Sequence, residues 1–91
     1  SKQLLRSGTS IGANVAEAQE AQSTADFIAK LYISLKECRE SKYWAKLLFR
    51  TDYLTEPEFN SLIKDLNEIY AILITVIKRS KSKQEKDVEN G

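Results

Sequence analysis

Gly8, Gly12 and Ala16 recur four residues apart near the start of the chain, inside Gln3–Ala18, and they limit what this segment can do. At roughly 100° per residue, Leu4, Gly8, Ile11, Val15 and Ala18 fall on one helical stripe, with Leu5, Gly12 and Ala16 beside it. Arg6, Ser10, Asn14 and Glu17 mark a second, polar stripe. Two glycines inside a helix each cost about 1 kcal/mol against alanine. That cost has to be offset by neighbours that come close to the small side. The segment is therefore expected to be a first helix over residues 1–22, with Gly8, Gly12 and Ala16 as its close-contact side. A break at Gly8, with Thr9 or Ser10 capping a shorter helix, is the alternative.

The remaining chain punctuates itself clearly. Ser23 suits an N-cap, and Asp26 then lies in the first helical turn, where a carboxylate meets free N–H groups. The second helix is expected from Thr24 to Arg50. Its main stripe is Phe27, Ile28, Leu31, Leu35, Cys38, Ala45 and Phe49, with Lys42 on the same side. After Thr51–Leu54, Thr55-Glu56-Pro57-Glu58 reads as a capping box with proline in the first turn. The third helix repeats Phe59, Leu62, Leu66, Ile69, Leu73 and Val76 at three–four spacing, widened by Ile63, Tyr70 and Ile77 on one side and Ile72 on the other. With three glycines and one proline among 91 residues, a turn-rich β fold is excluded. The organisation expected is one helical domain over 1–80 and a polar, disordered tail over 81–91. No apolar run approaches the roughly 20 residues of a membrane span, and no signal peptide is visible.

Chemistry is poorly provided for. There is no histidine, which removes the commonest general base and metal ligand, and Cys38 sits on the apolar stripe as a packed thiol. No catalytic residue, metal, cofactor or small-molecule substrate is expected. A lone cysteine fits a cytoplasmic protein. Arg6, Ser10, Asn14 and Glu17 read as a polar network that sets helix register, with Lys42 as the expected partner of Glu17. A second stripe on the second helix, Ile33, Glu37, Glu40, Trp44 and Leu47, combines an aromatic anchor with aliphatic neighbours on a charged face. It reads as an oligomer interface, or as a face packed on a helix outside this sequence. Lys78, Arg79, Lys81 and Lys83 are candidate nucleic-acid contacts, to which Lys30, Lys36, Arg39, Lys46 and Arg50 add basic surface. The formal net charge of +1 gives no overall basic excess.

The run from Gln3-Leu4-Leu5-Arg6-Ser7 through Ile11-Gly12-Ala13-Asn14-Val15-Ala16-Glu17-Ala18, then Asp26-Phe27 and Ser34-Leu35-Lys36-Glu37 to Lys42-Tyr43-Trp44, resembles a known bacterial family. Its members are small four-helix-bundle proteins encoded in intervening sequences of large-subunit ribosomal RNA genes. The resemblance covers residues 1–80, and Ser10 to Glu17 is its most specific piece. It implies an all-α, antiparallel up-down four-helix bundle that assembles into a ring-like homo-oligomer, a pentamer. Of its helices, three are present here and an N-terminal one is expected ahead of Ser1, in keeping with the absent methionine. The family is also similar to the accessory protein of diversity-generating retroelements, a strongly basic pentamer that binds nucleic acid, from which this chain departs in its near-neutral charge. The function expected is a non-enzymatic, self-assembling scaffold or adaptor. The alternative is an RNA-binding ring with repeated basic patches.

Overall fold

The computed structural model describes residues 2–90 and contains three α-helices: α1 (Lys2–Gln19), α2 (Thr24–Arg50) and α3 (Glu56–Asn90). Among the described residues there is no strand. The first helix does not break at Gly8. It ends at Gln19, where Glu20 and Ala21 donate N–H groups to the carbonyls of Glu17 and Ala18 at 3.1 Å in a tightened last turn. α2 starts as its cap chemistry dictates, with the Ser23 hydroxyl accepting the Asp26 N–H at 3.0 Å. α3 opens on a reciprocal box: Thr55 N–H donates to Glu58 Oε1 at 2.9 Å, and Glu58 N–H to Thr55 Oγ1 at 3.3 Å. Those bonds hold the Glu58 carboxyl below its ordinary value.

Between α2 and α3 the chain turns through Asp52, whose φ of 65° lies in the left-handed region. The N–H of Tyr53 then reaches back to the Leu48 carbonyl at 2.8 Å, closing the helix end. Phe49 stacks on Phe59 across this turn, with ring centroids 4.5 Å apart.

α2 is the centre of the fold. α1 and α3 pack on it from two sides, and among the described residues their own backbones stay apart. The two contacts differ in kind. Toward α1 the side chains are small: Ser34 is fully buried and its hydroxyl donates to the Ile11 carbonyl at 3.1 Å. Ser41, seven residues on, is buried and donates to Glu37 at 2.9 Å, so neither hydroxyl is left unpaired. The main cluster joins Ala18 of α1, Ile28, Leu31 and Leu35 of α2, and Leu73 and Ile77 of α3. A second cluster, Ile11, Cys38 and Leu66, lies nearer the α2–α3 turn. The Cys38 thiol donates to the Leu66 carbonyl at 3.2 Å, and burial pushes its pKa up, which disfavours the reactive thiolate.

Where the sequence leads one to expect an unstructured tail, α3 continues to Asn90, with Ile77 its last buried residue. Lysine, glutamine and glutamate are good helix formers, and Lys81–Glu85 and Lys83–Asp87 are spaced for i,i+4 pairing. The Lys81 ammonium also sits 4.9 Å above the Tyr32 ring, which ties the start of this stretch to α2. Ser1 and Gly91, at the ends of the two expected units, lie outside the described residues.

Candidate interaction surfaces

The polar set of α1 resolves into separate contacts. Asn14 Nδ2 donates to the Ser10 carbonyl at 2.9 Å and to its hydroxyl at 3.3 Å, all within α1. Glu17 pairs with Lys30 at 3.1 Å, not with Lys42. The antiparallel register explains the correction. Glu17 lies near the α1–α2 turn, as does Lys30, whereas Lys42 is twelve residues further along α2, about 18 Å at 1.5 Å per residue. Lys42 instead donates to Asn67 Oδ1 at 3.2 Å and rests 4.4 Å from the Tyr70 ring centre, in the seam with α3. Arg6 is exposed and borders a shallow depression with Lys2, Leu5 and Thr9.

Gly8, Gly12 and Ala16 are also placed otherwise than expected. All three are exposed, and a Cβ built on either glycine meets nothing within 4 Å. Close approach within the chain is made by Ser7, Ile11 and Ala18 against α2. At about 100° per residue, Gly8 and Gly12 fall on the same side of α1 as Val15 and Gln19, which line an open groove between α1 and α3. Val15 and Ala18 form one wall, Ile69, Leu73 and Val76 the other, and Phe27 and Leu31 the floor. The groove measures about 330 Å³, and Ile72 on its rim is 62% exposed. The signal for it in the sequence is the three–four run Ile69, Ile72, Val76, which makes the apolar stripe of α3 wider than one neighbour needs.

On the outer side of α2, Ile33, Glu37, Glu40, Trp44 and Leu47 share one face. Ile33 and Leu47 remain 43% and 40% exposed on either side of the half-buried Trp44, whose ring meets Tyr43 edge-on at 5.1 Å. Burial pushes the Glu37 carboxyl up, and the adjacent Glu40 adds to this by hydrogen bonding and like charge. Lys36 and the Ser7 hydroxyl act in the opposite direction.

The cations near the end of α3 do not gather on one face. Lys81 covers Tyr32, Arg79 lies beside Ile72 and Thr75, and Lys83 lies near Ser23 and Phe27 at the α1–α2 turn. Among the described residues, no three His, Cys, Asp or Glu side chains are grouped to share a metal ion. No helix there is long and apolar enough to cross a membrane.

These features can be set beside known proteins. Residues 1–75 match the family described as 23S rRNA-intervening sequence protein. The fold is similar to a crystal structure from Bacteroides thetaiotaomicron VPI-5482, a protein of unknown function from the S23 ribosomal protein family. It superposes with a TM-score of 0.83 at 57% sequence identity, over 85% of this chain and 71% of that one. No curated protein sequence gives a match.

Proposed function

This chain belongs to the 23S rRNA-intervening sequence protein family, and from that premise we propose that it is a non-enzymatic helical-bundle protein that self-assembles as a scaffold or adaptor. In this reading a fourth helix, supplied ahead of Lys2, lies in the groove between α1 and α3 and makes an antiparallel up-down four-helix bundle. Two observations support that step. The groove is apolar and open, and nearly three tenths of the similar crystallised chain lies outside the match. Gly8 and Gly12 then let the incoming backbone approach α1.

The observation that carries self-assembly is the outer face of α2. Ile33 and Leu47 share that face with Trp44, and exposed aliphatic side chains on one face with an aromatic one are the composition found at interface cores. A groove-filling helix would not cover it, because it lies on another side of α2. Association of this face with a different face of the next copy generates a ring when the rotation between copies closes. Five copies is the number that the family resemblance implies. The reading gives the protein a cytoplasmic location, with Cys38 a free, packed thiol.

Mass photometry tests the assembly. The wild-type protein is expected at a multiple of its 10.4 kDa chain mass, and Leu47→Glu at the mass of one chain with its helical circular dichroism intact. A wild-type monomer at micromolar concentration would refute the ring and the role of Trp44 together.

A further inference from the structure

α2 carries another exposed stripe, on a different side from the Trp44 face. Tyr32, Lys36, Arg39, Tyr43, Lys46 and Arg50 follow one another at steps of four, three, four, three and four. That is the spacing of a single helical face, and all six are exposed. From Tyr32 to Arg50 the stripe runs about 27 Å at 1.5 Å per residue. α3 extends it sideways. Lys81 lies 4.9 Å above Tyr32, and Lys42 and Arg39 lie 4.4 and 6.0 Å from the Tyr70 ring centre. On α2 the bordering carboxylates are Glu37 and Glu40, on the Trp44 side and next to Lys36. A chain with a formal net charge of +1 thus concentrates cations and tyrosines along one line.

We infer that this face binds single-stranded nucleic acid. The cations are strung out over several helical turns and do not converge on one point. This suits a chain of phosphates and not a single small anion. The tyrosines decide between strand types. Tyr43 is 61% exposed and Tyr32 42%, and such rings interleaved with cations offer stacking platforms to unpaired bases. In a duplex the base faces are already stacked on one another, so those rings would find no partner. The site is distinct from Lys78, Arg79 and Lys83 of α3, and it does not depend on the assembly proposed above.

The test is fluorescence anisotropy with labelled single-stranded RNA and DNA of about 20 nucleotides and the corresponding duplex, between roughly 50 and 200 mM salt. Wild-type protein is expected to bind the single strands more tightly than the duplex. Preference for RNA or for DNA identifies the ligand, and either supports the site. The triple variant Arg39→Gln, Lys46→Gln, Arg50→Gln is expected to lower the salt slope by about 2, at about 0.7 per lost phosphate contact. Tyr43→Ala is expected to weaken binding roughly tenfold with its slope unchanged. Lys86→Gln serves as the control and should leave the slope alone. All these side chains are exposed, so circular dichroism should report an intact fold. Four results overturn the inference: no binding at the lowest salt, equal loss in the control variant, tighter binding of the duplex, or displacement of the strand by polyglutamate of equal charge.

Discussion

Replacing Gly8 and Gly12 by alanine separates what α1 needs from what its neighbours need. Both glycines lie inside a continuous helix, are exposed, and have room for a Cβ with nothing within 4 Å. The gain is therefore set by helix propensity alone, about 1 kcal/mol at each position. The two sites are one turn apart, and a methyl group on each makes little contact with the other, so the double variant should gain about 2 kcal/mol. With an m-value near 2 kcal/mol per M, its urea midpoint should rise by about 1 M. The assay is urea unfolding of the 91-residue chain followed by circular dichroism, with the m-value checked for constancy. A fall in stability would refute the reasoning, because another backbone would then already lie against this face. The same substitutions in a longer chain that supplies the fourth helix should have the opposite sign. There the added Cβ atoms hold that helix away from α1, and an equal gain in both chains would remove the glycines from the groove's function.

Three further outcomes follow from particular contacts. Ser34 is fully buried where α1 meets α2, so Ser34→Leu should cost about 3 kcal/mol by overpacking, while Ser34→Ala, which loses one hydroxyl bond to Ile11, should cost about 1 kcal/mol. Thermal unfolding of the pair checks the ratio. Asp52 at φ 65° bears the Cβ penalty of the left-handed region. Asp52→Gly should stabilise by up to about 1 kcal/mol and Asp52→Val destabilise by about 1 kcal/mol in the same assay. The Glu37 carboxyl is raised above its ordinary 4.5, by burial first and then by Glu40, so the folded chain holds that proton more tightly than the unfolded one. The resulting stability is full below pH 4.5 and fades as pH rises through the folded value. Glu37→Gln should flatten the stability profile from 4.5 upward, and an unchanged profile would show that the shift has another origin.

How far the sequence could be read depended on the range of each interaction. Ser23 and the Thr55–Glu58 pair were legible because a cap is decided by side chains and N–H groups within one turn. The three–four spacing placed three helices for the same reason. The side of α1 that meets α2 was not legible. The cost of glycine inside a helix points to Gly8, Gly12 and Ala16 as the contact, yet Ser7 and Ser34 make it. At a close helix crossing the deciding properties are volume and a satisfied hydroxyl, and serine meets both. Register was recoverable in principle. Residues at comparable distances from the turn at 20–23 face one another, so Ile11 meets Ser34 and Ser7 meets Glu37, while the long side chains of Glu17 and Lys30 span a larger offset. A place on the apolar stripe does not make Lys42 the partner of Glu17, because that distance separates them. The cations of α2 were legible as basic surface but not as one line with Tyr32 and Tyr43, because a net charge averages over every face of the molecule.

That averaging matters because α2 uses its whole circumference. Ser34 and Ser41 occupy the small-residue side near α1, and Leu35 and Ile28 join the cluster with α3. Trp44 marks a third side and the tyrosine–cation stripe a fourth. Successive residues of a helix point about 100° apart, so neighbours in sequence belong to different surfaces. Lys46 and Leu47 make the sharpest pair, being adjacent, both exposed, and on the stripe and the Trp44 face respectively. Lys46→Gln should reduce the salt slope of nucleic-acid binding by about 0.7 and leave the assembly mass unchanged. Leu47→Glu should dissociate the assembly and leave that slope unchanged for each chain. If either variant altered both readouts, the two faces would be one surface, and the assignment of separate tasks to the sides of α2 would fail.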